Sequence, residues 1–218
     1  MNRETIRARI EEIGIVPAIR LSSAEDALFA VKAVADSGIP IAEITMTIPG
    51  AIEVISELAR DRPELIVGAG TIVDTETARR CLDAGAMFLT SPGLDIRVVR
   101  FAVKRNVVVF PGALTPSEIM TAWKAGSDFV KVFPCSRLGG AGYIKALKSP
   151  FLHIPLIASG GVTHGNVADF ILAGAVGVGI GRDLINPEAV RRRELDWIRE
   201  LAGRFLQIVK RARSLKAM

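Results

Sequence analysis

One short pattern recurs along this chain: a helical segment that ends in a small residue and a glycine, followed at once by an apolar stretch. Its four copies are Asp36–Gly38, Asp83–Gly85, Lys124–Gly126 and Leu172–Gly174. Glycine at this point allows a helix to end in the left-handed conformation before the chain becomes extended. The repetition predicts helices that alternate with strands, which is the arrangement of a mostly parallel sheet.

Eight apolar stretches of strand length alternate with the predicted helices. They are residues 14–20, 41–46, 65–69, 87–90, 107–110, 128–134, 153–158 and 175–180. Their apolar residues are mostly Ala, Val, Ile and Leu, as expected for parallel strands that are covered by helices. We predict one (β/α)8 TIM barrel domain over residues 1–218, which begins with a short helix and ends with a long basic one. A doubly wound open sheet is the alternative that the same alternation allows.

The positive charge lies at the C-terminal end of the chain. Residues 191–218 carry nine Lys or Arg and three Asp or Glu, a net of +6, whereas the whole chain carries +5. Within this segment, apolar residues recur at helical spacing: Leu195, Ile198, Leu201, Phe205, Ile208 and Leu215. We therefore expect an amphipathic helix with a solvated basic face and no nucleic-acid partner, because no aromatic-studded groove or recognition motif accompanies the charge.

Several classes of function lack their sequence signals. The charged N-terminus has no signal-peptide core, and no stretch approaches the roughly 20 apolar residues of a membrane span, so we expect a cytoplasmic protein without a membrane partner. Cys81 and Cys135 have neither metal-ligand spacing nor a disulfide pattern, and the two histidines, His153 and His164, have no ligand-spaced partner. Dinucleotide and nucleotide-triphosphate motifs are also absent, so we expect no metal and no cofactor.

A barrel of this kind carries its chemistry where the strands end and the βα loops begin. Unusual residues collect at these predicted positions, in chain order Arg20, Glu43, Thr45, Thr71, Pro92, Lys131, Ser159, Gly160, Gly161, Gly181 and Arg182. Turn requirements account for the glycines and prolines but explain neither Glu43 nor Lys131.

Lys131 lies in the middle of a predicted buried strand, on the same face as Phe129 and Phe133. A lysine there is costly unless its amine is neutral, paired or chemically used. Glu43 also interrupts an apolar strand, so a structural ion pair between the two is one interpretation. The other is Schiff-base chemistry, in which the amine attacks a keto group and the carboxylate transfers protons. Phe133 would then line the substrate pocket.

Two glycine-containing loops predict an anion site. Ser159, Gly160 and Gly161 follow the seventh strand, and Gly181 and Arg182 follow the eighth. Barrels bind phosphate at the loops after these two strands, through free backbone N–H groups, and an arginine can add a bidentate contact. A pair of tight turns is the structural alternative.

Together these motifs resemble the 2-keto-3-deoxy-6-phosphogluconate (KDPG) aldolase family, also described as the 4-hydroxy-2-oxoglutarate (KHG) aldolase family. The matching segments lie in order along residues 8–210: 43–45, 67–71, 91–93, 111–116, 131–134 and 159–161. The resemblance implies a metal-independent class I aldolase and a homotrimer. It also implies that Lys131 forms the Schiff base, that Glu43 is the acid/base, and that Arg20, Thr45, Thr71 and Pro92 serve the substrate carboxylate.

Two positions depart from the family pattern. Some members have a carboxylate-binding arginine where this chain has Thr47, and we expect Arg20 to take that role. The loop after the eighth strand often has serine where this chain has Arg182, which leaves the length and charge of the substrate open. The expected reaction is cleavage of KDPG, or a stereoisomer of it, to pyruvate and glyceraldehyde 3-phosphate. An aldolase for non-phosphorylated 4-hydroxy-2-keto acids and a non-catalytic sugar-phosphate-binding barrel are the alternatives.

Overall fold

The structure is a computed structural model and describes residues 1–217. Its strand segments are β1 Ile15–Ile19, β2 Ile41–Thr45, β3 Ile66–Gly70, β4 Phe88–Thr90, β5 Val108–Phe110, β6 Gly112–Ala113, β7 Val130–Val132, β8 Leu156–Ser159 and β9 Gly177–Ile180. Its helices are α1 Arg3–Ile13, α2 Ala24–Ala35, α3 Ala51–Asp61, α4 Thr75–Asp83, α5 Ile96–Lys104, α6 Pro116–Lys124, α7 Gly140–Lys148, α8 Val167–Leu172, α9 Pro187–Arg191 and α10 Leu195–Ala217, with a 3-10 turn at Cys135–Leu138.

The strands form a closed barrel, as predicted. All pairs are parallel, and the order β5-β4-β3-β2-β1-β9-β8-β7-β6 begins and ends with two halves of one strand. Pro111 separates these halves. It has no N–H to donate, but its carbonyl accepts a hydrogen bond from the N–H of Lys131 at 2.9 Å. Because β5 pairs with β4 while β6 pairs with β7, the fifth strand closes the barrel, and the open-sheet alternative is wrong.

The strand registers place inward-facing residues in layers of four. Glu43 pairs with Gly68 of β3, and Gly68 pairs with Phe88 of β4. Because the strands are tilted, the β4 residue at the height of Glu43 is Thr90, two residues after Phe88. The same offset of two residues recurs at each second strand. The offset around the eight strands matches the shear of eight that is typical of this barrel. One layer, the lysine layer, therefore contains Glu43, Thr90, Lys131 and Gly179. The next layer toward the strand ends, the small-residue layer, contains Ala18, Gly70, Gly112 and Ser159.

Aromatic rings fill the barrel below the lysine layer. The Phe88 and Phe110 rings stack with their centroids 5.2 Å apart, and the Phe129 ring meets Phe110 edge-on at 5.9 Å. Below them, Arg3 of α1 forms a 3.0 Å ion pair with Asp128, whose carboxylate also accepts a hydrogen bond from the N–H of Val109. The aromatic rings close this end of the barrel interior, so a polar cavity can form only at the opposite end.

The repeated helix exits have the predicted conformation. The glycines at Gly38, Gly85, Gly126 and Gly174 have φ values of 97°, 103°, 96° and 110°. The helix before Gly174, α8, begins only at Val167, because residues 163–166 form a turn in which Asn166 Oδ1 accepts a hydrogen bond from the N–H of Thr163.

The C-terminal helix packs on the barrel, but one predicted contact residue is wrong. Its buried stripe consists of Ile198, Ala202, Phe205, Leu206, Val209 and Ala212. Leu215 is exposed, since at 3.6 residues per turn it lies about 100° from the centre of this stripe. Among the described helices, none is both long and apolar enough to cross a membrane.

Candidate active site

The predicted site residues meet at one cavity of about 260 Å³ at the C-terminal ends of the strands. Ten of the twelve line it: Arg20, Thr71, Pro92, Lys131, Phe133, Ser159, Gly160, Gly161, Gly181 and Arg182. Gly179 also lines it, as do Ala18, Val162 and Asp183, which were not predicted. Glu43 and Thr45 are the two predicted residues that do not. The cavity opens above the lysine layer because the four residues of the next layer have small side chains.

Lys131 supplies the amine at the floor of the cavity. Its side chain is 10% exposed, and Nζ lies 3.5 Å from Glu43 Oε1 and 3.3 Å from Thr90 Oγ1. The Phe133 ring flanks the same amine, with its centroid 5.7 Å from Nζ. The lysine therefore has a carboxylate and a hydroxyl on its buried side and faces open space on the other.

Glu43 lies behind the amine, and its position depends on a neighbouring glycine. The carboxylate is almost completely buried and lies against Gly70 of β3, where an added Cβ would come within 2.1 Å of Glu43 Oε1. Any side chain at position 70 would displace the carboxylate. Burial next to Lys131 gives Glu43 the geometry of a proton-transfer group for that amine.

Thr90 is a site residue that sequence reasoning missed. It is fully buried at the end of β4 and contacts the Lys131 amine directly. A signal was present, since Thr90 is a polar residue on the inward face of an otherwise apolar strand, two residues after Phe88. What the sequence alone could not provide was the register that places β4 opposite β7.

Thr45, predicted to contact the substrate carboxylate, lies behind the cavity wall. Its Oγ1 is 2.8 Å from the carbonyl oxygen of Ile19 and 2.8 Å from Thr47 Oγ1. These hydrogen bonds fix the backbone immediately before Arg20. The structure thus relates Thr45 to the cavity through the placement of Arg20.

The loop after β3 holds an unusual backbone conformation. Thr71 has φ of 64°, in the left-handed region that β-branched residues rarely adopt. Such a conformation costs on the order of 1–3 kcal/mol and persists only where the surroundings impose it. The strained residue lines the cavity, which supports a functional reason for its geometry.

The glycine-rich loop after β8 presents free donors. Gly160 and Gly161 have φ of 86° and 81°. Their carbonyls accept hydrogen bonds from Ser136 and Asn166, and neither of these two donors lines the cavity. Within residues 1–217, neither glycine N–H donates to a protein group. These donors are therefore free to bind an anion in the cavity.

Two unpaired cations and one unpaired anion complete the lining. Arg20 and Arg182 are exposed and form no ion pair with any described residue. Asp183, next to Arg182, is likewise unpaired within the described chain. Among residues 1–217, no three His, Cys, Asp or Glu side chains converge as a metal site would require.

Comparisons with known proteins agree with this geometry. The pattern of the family described as KDPG and KHG aldolase matches residues 6–201. A 2-dehydro-3-deoxy-phosphogluconate aldolase of Pseudomonas aeruginosa is 35% identical over 200 residues, which cover 90% of each protein. A KHG/KDPG aldolase of Escherichia coli is 30% identical over 196 residues, covering 90% of this chain and 92% of the relative.

A solved structure extends the similarity to the fold. The KDPG aldolase of Legionella pneumophila, in which pyruvate was captured as a covalent carbinolamine, superposes with a TM-score of 0.85 at 28% identity. The match covers 91% of this chain and 96% of that one. On the extent of the family match and the identity to its curated members, this chain belongs to the KDPG and KHG aldolase family.

Proposed function

We propose that this protein is a metal-independent class I aldolase that cleaves KDPG, or a stereoisomer of it, to pyruvate and glyceraldehyde 3-phosphate. The observation that carries the proposal is the buried amine of Lys131 at the cavity floor, 3.5 Å from the Glu43 carboxylate. Membership of an aldolase family and the carbinolamine captured in a related aldolase support the same chemistry.

The proposed reaction begins when the neutral amine of Lys131 adds to the C2 keto group of the substrate. Glu43 transfers protons to the resulting carbinolamine, which loses water to form an iminium ion. The iminium withdraws electrons, so the C3–C4 bond breaks as the C4 hydroxyl gives its proton to the Glu43 carboxylate, and the aldehyde leaves. The remaining enamine takes that proton at C3, and water then releases pyruvate and regenerates the amine.

The cavity lining fits the two charged ends of such a substrate. We assign the pyruvate carboxylate to Arg20, Thr71 and the Pro92 loop, with Thr45 supporting Arg20 from behind. We assign the phosphate to the free N–H groups of the loop after β8 and to Arg182.

A second substrate class deserves a parallel assay, because the Escherichia coli relative is named KHG/KDPG aldolase. Non-phosphorylated 4-hydroxy-2-oxoglutarate would use the same amine and leave Arg182 without a phosphate. Comparing kcat/KM for the phosphorylated and non-phosphorylated substrates in a coupled pyruvate assay separates the two. No turnover of either would favour a non-catalytic barrel.

The test of the chemistry is trapping of the Schiff base. Incubation with pyruvate and borohydride should add one reduced pyruvyl group, which peptide mass spectrometry should locate on Lys131. Lys145 and Lys148 serve as internal controls. Lys131→Met should fold, because methionine suits the apolar strand, but should neither trap pyruvate nor cleave substrate. Trapping at another lysine would refute the assignment.

Assembly and location belong to the same proposal. We infer a homotrimer, which light scattering would detect as a mass near three times the 23.4 kDa of one chain. We also place the enzyme in the cytoplasm, which fractionation of cells expressing the untagged protein would test.

A further inference from the structure

Thr90 touches the reactive amine, and the proposed reaction gives it no role. Its Oγ1 lies 3.3 Å from Lys131 Nζ, its side chain is fully buried, and within residues 1–217 the hydroxyl has no other hydrogen-bond partner. We propose that Thr90 is a positioning residue that aims the lone pair of the Lys131 amine at the substrate carbonyl. This inference rests on the proposed Schiff-base function.

The geometry follows from what a neutral amine can do with its surroundings. Such an amine has two N–H groups and one lone pair, and two oxygens lie within reach: Glu43 Oε1 at 3.5 Å and Thr90 Oγ1 at 3.3 Å. Neither oxygen belongs to a residue that lines the cavity. If each accepts one N–H, both hydrogens point to the buried side, and the lone pair points into the cavity, where the keto carbon arrives.

Thr90 also separates orientation of the nitrogen from proton transfer, which Glu43 would otherwise have to perform together. After water is lost, the iminium nitrogen keeps a single N–H, whereas the Glu43 carboxylate has to accept and release protons at other atoms. A carboxylate that moves protons cannot hold the nitrogen in a constant orientation. Thr90 Oγ1 can accept the iminium N–H throughout, and it gains or loses no proton during the cycle.

The layer arrangement supports separate roles for Thr90 in orientation and Glu43 in proton transfer. Thr90, Glu43 and Lys131 come from alternate strands of the lysine layer, and Gly179 supplies the fourth position without a side chain. Two of these side chains, Glu43 and Thr90, contact the amine of the third, and Gly179 at the fourth position lines the cavity. A rigid barrel wall fixes the hydroxyl more firmly than a loop would.

The decisive variant is Thr90→Val, which keeps the shape of the side chain and removes only the hydroxyl. We expect the rate of pyruvate trapping and the kcat for cleavage to fall about 10- to 100-fold, the range for a lost hydrogen bond to a charged nitrogen. The KM for the substrate should change less than about twofold. Thr90→Ser should retain most of the rate, and Thr90→Ala should behave like Thr90→Val.

Thr121→Val is the matched control, because the Thr121 hydroxyl donates only to the Ser117 carbonyl on the exposed helix α6. It should leave trapping and cleavage unchanged. Wild-type trapping rates in Thr90→Val, or equal rates in Thr90→Ser and Thr90→Ala, would overturn the proposal. The serine–alanine pair decides the matter even where the valine variant does not fold. Wild-type protein that fails to trap pyruvate on Lys131 would instead refute the Schiff-base function itself, and this inference with it.

Discussion

Gly70→Ala is the substitution whose effect follows most directly from the structure. The added methyl group would lie 2.1 Å from Glu43 Oε1 and 2.6 Å from its Cγ and Cδ, where ordinary contacts begin at 3.4 Å. The Glu43 carboxylate would have to move by more than about 1 Å in a site that is already packed. Backbone strain is not involved, because Gly70 does not adopt a left-handed φ.

Displacement of Glu43 should affect catalysis more than folding. We expect kcat to fall about 10²-fold or more, the range for a lost acid/base group. Overpacking should lower the free energy of unfolding by about 1–3 kcal/mol. Pyruvate release coupled to NADH oxidation by lactate dehydrogenase measures the first quantity, and urea denaturation measures the second.

Two further variants make the Gly70 experiment interpretable. Gly203→Ala, in helix α10 with nothing within 4 Å of the new methyl group, should raise stability by up to about 1 kcal/mol and leave kcat unchanged. In the double variant Gly70→Ala/Glu43→Asp, the shorter carboxylate avoids the methyl group, so stability should recover while kcat stays low. Wild-type kcat in Gly70→Ala would show that Gly70 does not fix the catalytic position of Glu43.

Three other outcomes test separate parts of the site. Arg182→Ala should raise KM for the phosphorylated substrate about 10- to 100-fold and leave pyruvate trapping unchanged; equal effects on both would place Arg182 elsewhere. Thr71→Asn should increase the free energy of unfolding by about 1 kcal/mol, because asparagine tolerates a positive φ, and should weaken pyruvate binding; a loss of stability would contradict the strain argument. Burial raises the pKa of the Cys81 and Cys135 thiols to about 11. The unfolded thiols ionise near pH 8.5, so the folded state binds more protons and unfolding free energy should fall as pH rises from about 9 to 11. At pH 8, a thiol reagent should modify both cysteines only after unfolding in urea.

Much of this architecture could be predicted because local signals repeat. The glycine exits and the apolar stretches located the strands, and the barrel rule then placed functional residues at the strand ends. Lys131 and Glu43 stood out because a charge inside an apolar strand needs a chemical reason. Ten of the twelve predicted site residues line the cavity on that basis.

Other features could not be read from the sequence, chiefly where they depend on distant parts of the chain. Thr90 became a contact of Lys131 only through the registers of β4 with β5 and of β6 with β7, which no local pattern specifies. The hydroxyl of Thr45 is held by the carbonyl of Ile19, on a neighbouring strand. Leu215 matched a loose helical spacing but lies about 100° from the centre of the stripe that packs on the barrel, so it is exposed.

The layers also explain why chemistry occurs at this height in the barrel. Below the lysine layer the aromatic rings exclude water, and above it Ala18, Gly70, Gly112 and Ser159 are too small to close the barrel. The two glycines have a second reason to stay small: an added Cβ would lie 2.1 Å from Glu43 Oε1 at Gly70 and 2.2 Å from the Pro92 carbonyl oxygen at Gly112. Pro111 lies where the fifth strand is divided: its carbonyl accepts the N–H of Lys131, and its nitrogen offers no donor to β4. The next residue, Gly112, pairs with Lys131, so the strand that closes the barrel also positions the lysine beside Glu43 and Thr90.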